Sequence, residues 1–385
     1  MTFRLALGLT ALLTGLSASA ATPSAVPTPP NEEDAPIALL VDLSSGQTLF
    51  AREENRRFMP ASITKVMTTF LAFEWLSQGK LFREQVTGMR PDTFRDWHAV
   101  GSTMYLAENA PVTIDQLLHG ITTVSANDGA VVLAEAAAGS VPAWLAAMNR
   151  KAQEIGMADS HYGTPNGWMD GGHTFVTARD LATLASAMIT RHPEYYRHFV
   201  GVRRLTYNGI QQVNHDPISG KVPGADGIKT GFTNQAGYGF LGSAERDGRR
   251  LVMVVAASPT GRQRNQAATA FIEWGFQAFD SHPLFKKDET IGNAEVQNGG
   301  LSNVGLVTRS PIRVALRKGG GGRPELKIRY EGPLQAPIAK GEHVADLVIS
   351  IDGRQVSSLP LVADRAVAVA TPIQRVFNGI RSWIT

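Results

Sequence analysis

The period of the apolar positions changes along this chain, and those changes divide it. Ile63, Val66, Met67, Phe70, Leu71, Phe73 and Leu76 cover nearly every side of a helix, which predicts a helix buried all round and not an amphipathic one. Ahead of it, Ile37 to Asp42 and Thr48 to Ala51 read as strands of a hairpin turned by Ser44-Ser45-Gly46-Gln47. Behind it, Val86 to Thr103 is polar, carries Gly88, Pro91 and Gly101, and predicts irregular chain. Thr113 and Gln116 have the spacing of a capping box for a helix through Leu117, Leu118 and Ile121. A second helical stretch covers Gly129 to Ala138, with Ser125-Ala126-Asn127 on the connector between them. Ser140 and Gly156 suit the two ends of a third helix, and Thr177 with Asp180 opens another through Leu181, Leu184 and Met188.

Val222 to Thr230 is glycine-punctuated, then Gly239 to Ala244 and Leu251 to Ala257 read as strands joined at Asp247-Gly248. A helix from Asn265 to about Phe279 follows. Helices bracketed by strands at both ends predict one α+β domain whose first and last strands are distant in sequence. From about Pro283 the helical period is replaced by short alternating segments, at Val304 to Val307, Ile312 to Leu316, Leu326 to Tyr330 and Val344 to Ile351, a small all-β module. After Pro372 a helix returns, with Ile373, Val376, Phe377, Ile380, Trp383 and Ile384 on one face and Arg375 and Arg381 on the other. That is the pattern of a helix lying in a membrane interface. The expected divisions are 1–20 as a signal peptide, 21–35 as a proline-rich linker, 36–281 as the α+β domain, 282–370 as the all-β domain and 371–385 as the amphipathic helix.

The signal peptide rests on Arg4, the apolar run Leu5 to Leu16 and the small residues Ala18-Ser19-Ala20. It puts the working part outside the cytoplasm, at the outer face of the inner membrane. With 385 residues, 43% of them hydrophobic, the chain is long enough for two cores. The net charge of +3 comes without a basic cluster, so no nucleic-acid partner is expected. There is no cysteine, which excludes disulfides, thiol catalysis and thiolate metal sites. The nine histidines form no close pair of the His-Glu-x-x-His kind, so neither a metal nor a cofactor is expected.

Candidate chemistry starts at Pro60-Ala61-Ser62-Ile63-Thr64-Lys65. Ser62 and Lys65 fall one turn apart on one helix face, at its N-terminus. A serine hydroxyl needs a neighbouring base, and a lysine amine serves when burial or a second cation keeps it neutral. Ser-x-x-Lys alone recurs about once by chance in a chain of this length. Ser125-Ala126-Asn127 and Lys229-Thr230-Gly231 follow it in order.

This ordered set resembles that of penicillin-binding proteins and class A β-lactamases. From about Pro36 to its end the chain resembles the low-molecular-mass D-alanyl-D-alanine carboxypeptidases, serine peptidases that trim peptidoglycan stem peptides. Asp226-Gly227-Ile228-Lys229 with Ala236-Gly237-Tyr238, and Gly172-His173 before Thr177-Ala178-Arg179-Asp180-Leu181, belong to the same likeness. The resemblance implies a β-lactamase/transpeptidase-like fold, an antiparallel sheet with helices, followed by the β domain and the terminal helix. It implies Ser62 as nucleophile, Lys65 as its base, Ser125 as proton relay and Asn127 as partner of the substrate amide or Lys65. Lys229 and Thr230 then receive the substrate carboxylate, and Gly231 shapes that turn. The backbone N–H groups of Ser62 and Phe232 form the oxyanion hole. By its position relative to Trp274, Arg264 is the carboxylate-binding arginine, with Arg262 as the fallback.

The implied substrate is a stem peptide ending in D-Ala-D-Ala, with β-lactams as inhibitors. His173 is expected to be a structural loop histidine. Two departures stand out: Ala126 replaces the usual glycine of the middle motif, and Thr164 stands where asparagine is common. A β-lactamase on the same fold and a catalytically silent sensor are the rival readings. The first lacks a Glu-x-x-x-Asn segment between the second and third motifs, and the second is at odds with the intact polar set.

Overall fold

The computed structural model of the protein describes residues 28–320 and 322–371. The signal peptide, residues 21–27 of the linker and the helix after Pro372 lie outside the described residues. β1 (Ile37–Asp42) and β2 (Gln47–Arg52) form the expected hairpin. A 3₁₀ turn, Ala61–Thr64, runs directly into α1 (Lys65–Ser77). β3 (Val86–Thr87) and α2 (Pro91–Trp97) occupy the stretch expected to be irregular, and β4 (Val112–Thr113) follows it. Helix α2 carries a proline at its start and Asp92 in its first turn. Of its residues Thr93 alone is buried, so it has no apolar period to read.

α3 (Ile114–Thr123) opens on a complete Thr113/Gln116 capping box, and α4 (Asn127–Ala138) begins one residue beyond Ala126. α5 (Val141–Glu154) is capped by Ser140, and α6 (Ala178–Arg191) by Thr177, whose hydroxyls accept the backbone N–H groups of Ala143 and Asp180. α7 (Pro193–Phe199) and the hairpin β5 (Arg204–Tyr207)–β6 (Ile210–Val213) come next. β7 (Ala225–Thr233), β8 (Gly237–Arg246), β9 (Arg249–Ser258) and α8 (Gly261–Gln277) complete this domain. Asp247 and Gly248 both have positive φ, +50° and +71°, as a two-residue type I′ hairpin requires.

The main sheet has the order β2-β1-β9-β8-β7, antiparallel throughout, so β1 is hydrogen-bonded to a strand some two hundred residues later. Both faces are buried. Ile37, Leu39, Val252 and Val254 point to α1 and the helices around it. Ala38, Leu40, Leu251, Met253 and Val255 point to Phe271, Ile272 and Trp274 of α8. That two-sided burial explains why these strands read as continuous apolar runs. α1 lies at the centre, with Phe70 and Phe73 fully buried and Phe73 stacked on Phe199 of α7 at 5.6 Å.

The all-β part comprises β10 (Phe279–Phe285), β11 (Thr290–Gln297), β12 (Asn303–Val307), β13 (Ile312–Arg317), β14 (Pro324–Arg329), β15 (Leu334–Gln335), β16 (His343–Ile351) and β17 (Arg354–Ala363). Phe279 belongs to β10, paired with β13, and not to the preceding helix. A separate core around Val304, Leu306, Val314, Leu347 and Leu361 holds this part together. The Gln47 amide joins it to β2, donating to Ala315 O at 3.0 Å and accepting from Ala315 N at 2.6 Å. Among the described residues, no single helix is long and apolar enough to cross a membrane.

Candidate active site

Ser62 sits at the N-terminal end of the buried helix, as expected, in a first turn that is 3₁₀ and not α. In a 3₁₀ turn the side chains of residues i and i+3 eclipse, and Lys65 Nζ accordingly lies 2.9 Å from Ser62 Oγ. The turn is held in a demanding conformation. Ala61 has φ +50°, a backbone state that costs a non-glycine residue about 1–3 kcal/mol. Gly167 locks it from the other side, because a Cβ there would fall 1.8 Å from Ala61 O.

Lys65 is completely buried. Its Nζ lies 2.7 Å from Asn127 Oδ1 and 2.6 Å from the main-chain oxygen of Asn166. Burial, and then the neighbouring charge of Lys229, hold its pKa well below the ordinary lysine value, while Asp128 pulls the other way. Both effects favour the neutral amine, the form able to take a hydroxyl proton.

Asn127 is the first residue of α4. Its Nδ2 donates to Val100 O at 2.9 Å and its backbone N to Ser102 O at 2.8 Å. The 98–106 segment that supplies those carbonyls is tied in turn to Asp128, whose buried carboxylate accepts the N–H groups of Met104 and Leu106, each at 3.1 Å. Asp128 and Asn166 escaped the sequence reading. An acid in the first turn of a helix reads as an ordinary dipole partner, and Asn166 acts through a main-chain carbonyl that no side-chain pattern reveals.

Ser125 Oγ is buried and has no hydrogen-bond partner among the described residues. It is Ser125, at φ +63°, that adopts the left-handed backbone. Ala126, with φ −54° and ψ 111°, needs no glycine. Its methyl fills the space left by Gly120 and Gly129. Thr164 is equally well accommodated: its Oγ1 accepts from Gly167 N at 2.9 Å and closes the turn that presents Asn166 O to Lys65.

Lys229, Thr230, Gly231 and Phe232 lie on β7, the outermost strand of the sheet. Gly231 lets this strand approach the serine turn, since a Cβ on it would sit 2.4 Å from Pro60 O and 3.3 Å from Ile63 N. Lys229 is buried and donates to Thr230 O at 3.1 Å. Burial first, and Arg264 second, bring its pKa down to about 7. Arg264 itself is buried and donates from Nη1 to Gly239 O at 2.9 Å, its own pKa lowered by burial to about 10. Arg262 is exposed, so Arg264 is the arginine whose charge reaches the Lys229 side of the site. Phe232, 47% exposed, stacks on Tyr238 at 4.1 Å. His173 is exposed, and its carbonyl accepts from His161 Nδ1 at 2.7 Å.

The three motifs thus meet at one place, from a turn, a helix N-terminus and an edge strand. The family profile described as D-alanyl-D-alanine carboxypeptidase matches residues 22–260. The chain belongs to that family. It is a serine-type carboxypeptidase of the low-molecular-mass penicillin-binding class, and the profile of the penicillin-binding protein 5 C-terminal domain matches residues 279–369. It is similar to the D-alanyl-D-alanine carboxypeptidase DacF of Bacillus subtilis, at 31% identity over 86% of this chain and 85% of that one. DacA of Haemophilus influenzae is also 31% identical, over 93% and 90%. Among solved structures, penicillin-binding protein 5 from Haemophilus influenzae aligns with a TM-score of 0.75 at 30% identity, covering 89% of this chain and 99% of the other. Penicillin-binding protein D2 from Listeria monocytogenes, in its ampicillin-bound form, aligns with 0.58 at 27% identity over 65% of this chain and 100% of its own.

Proposed function

We propose that this carboxypeptidase removes the terminal D-alanine from peptidoglycan stem peptides ending in D-Ala-D-Ala, through an acyl-enzyme on Ser62. The observation that carries the reading is the buried lysine amine within hydrogen-bonding distance of both Ser62 Oγ and Asn127 Oδ1. In this mechanism Ser62 Oγ bonds to the carbonyl carbon between the two D-alanines while Lys65 takes the hydroxyl proton. The backbone N–H groups of Ser62 and Phe232 receive the developing oxyanion, a role supported by the close approach of Gly231 to the Pro60 carbonyl. The C–N bond breaks, Ser125 relays a proton to the departing amine, and D-alanine leaves. Water then adds to the acyl carbon, the acyl C–Oγ bond breaks, the shortened peptide leaves as its carboxylate, and Ser62 Oγ takes back a proton.

The substrate's free carboxylate meets Lys229, Thr230 and Arg264. Lys229 and Arg264 are buried, and their positive charge is what makes an anion there favourable. β-Lactams acylate the same serine in this reading, because the ring amide presents the same carbonyl. We further propose export by residues 1–20 and a peripheral hold on the outer face of the inner membrane by residues 371–385. Support for both rests on sequence pattern, since these segments lie outside the described residues.

The test uses purified mature protein and a Ser62→Ala variant, a synthetic peptide ending in D-Ala-D-Ala and a fluorescent penicillin. D-alanine release and covalent labelling that both vanish with Ser62 are expected. Labelling without release turns the reading toward a sensor, and fast penicillin turnover without release toward a β-lactamase. Absence of both in the unaltered protein overturns the Ser62 assignment.

A further inference from the structure

No two histidines stand at ligand spacing in the sequence, yet the fold assembles a pair away from the Ser62 site. Asp115 and His119 lie four residues apart on one face of α3, the spacing that makes side chains neighbours on a helix. α7 brings His198 to the same face. His198 Nε2 is 3.4 Å from Asp115 Oδ1, and His119 Nε2 is 3.8 Å from Asp115 Oδ2. One ligand atom from each of the three lies within 4.8 Å of the others. Ligand atoms about 2.0–2.2 Å from a tetrahedral metal stand a little over 3 Å apart, so small side-chain rotations close the site.

The helices that carry it are fastened together. Thr122 Oγ1 of α3 donates to Phe199 O of α7 at 2.8 Å. The His119 ring packs at 4.8 Å on buried Phe199, and the two imidazoles lie 5.1 Å apart at 61°. Arg83 Nε donates to Asp115 Oδ1 at 2.9 Å. It orients the carboxylate, as an outer partner does, and its charge opposes a bound cation.

We propose that Asp115, His119 and His198 form a zinc site. Two imidazole nitrogens and one carboxylate oxygen select a zinc-like transition metal over calcium or magnesium, and water completes a four-coordinate shell. Its role is to staple α3, whose chain leads straight on to Ser125, to α7, whose successor Val200 packs against Gly227 at the head of the Lys-Thr-Gly strand.

The experiment uses the untagged, chelator-treated chain, titrated with zinc chloride and followed by thermal unfolding, with cobalt absorption as a spectroscopic readout. Zinc at about a hundred times its Kd raises the midpoint by ~5 °C. Cobalt gives the intense visible bands of a four- or five-coordinate site. His198→Ala, at an exposed position, and separately His119→Gln, each abolish the cobalt bands and weaken zinc binding by at least about tenfold. Arg83→Gln tightens it. An unchanged midpoint in the unaltered chain overturns the proposal, as does a zinc shift that survives in both histidine variants.

Discussion

Lys65 and Asp128 stand on different helices, yet the carboxylate of Asp128 raises the Lys65 pKa against burial and Lys229. The sign of a test follows. Removing that charge lowers the lysine pKa further, so the amine loses its proton at lower pH. Asp128→Asn therefore moves the acidic limb of acylation to lower pH. It also leaves the Leu106 N–H facing an amide NH₂, a loss of about 1–3 kcal/mol in stability. A pH series of penicillin acylation rates reads the first effect, and an unshifted limb would sink the electrostatic role.

Lys229 predicts the opposite limb. With its pKa brought to about 7, it is charged below that value and neutral above it. Capture of a peptide carboxylate should weaken as pH rises through 7, appearing as a rising KM, and a carboxamide-terminated peptide should not show the trend. Arg264→Ala should raise KM about tenfold to a hundredfold, the worth of a hydrogen bond to a charged group. Arg262→Ala should leave KM unchanged.

Gly231→Ala places a methyl 2.4 Å from a backbone oxygen, where no flexible side chain can yield. The strand must shift away from the serine turn. A displacement of about 1 Å between reacting groups costs roughly a hundredfold in rate, which stopped-flow acylation would measure. Near-normal acylation would contradict the proposed oxyanion geometry.

Ala126→Gly tests the departure in the middle motif. Because Ala126 has ordinary backbone angles, restoring the family's glycine relieves no strain and removes one buried methyl. Stability should fall by about 1 kcal/mol, seen as a lower unfolding midpoint, with acylation unchanged. A gain in acylation rate would show that the methyl hinders the site.

Local signals were legible wherever the physics is local. The capping residues Thr113, Ser140 and Thr177, the Asp247-Gly248 turn and the all-round apolar run behind Lys65 act within a few residues of themselves, and their elements formed as read. The Ser62, Ser125 and Lys229 motifs were legible because side-chain chemistry is written in residue type. Tertiary structure decided what depends on proximity between distant segments. Burial lowers the pKa of both Lys65 and Lys229, which residue spacing does not report. That Arg264 is buried and Arg262 exposed came from the face of α8 that packs on β8. Asn166 contributes a carbonyl, and Asp128 a charge, only because the 98–106 and 162–170 segments fold back over α1 and α4. His119 and His198, seventy-nine residues apart, became neighbours because Phe199 buries its ring between the helices that carry them. Hydrogen bonds within a turn are specified by sequence over a few residues, whereas desolvation and Coulomb interactions depend on everything within several ångströms, and only the folded chain determines what that is.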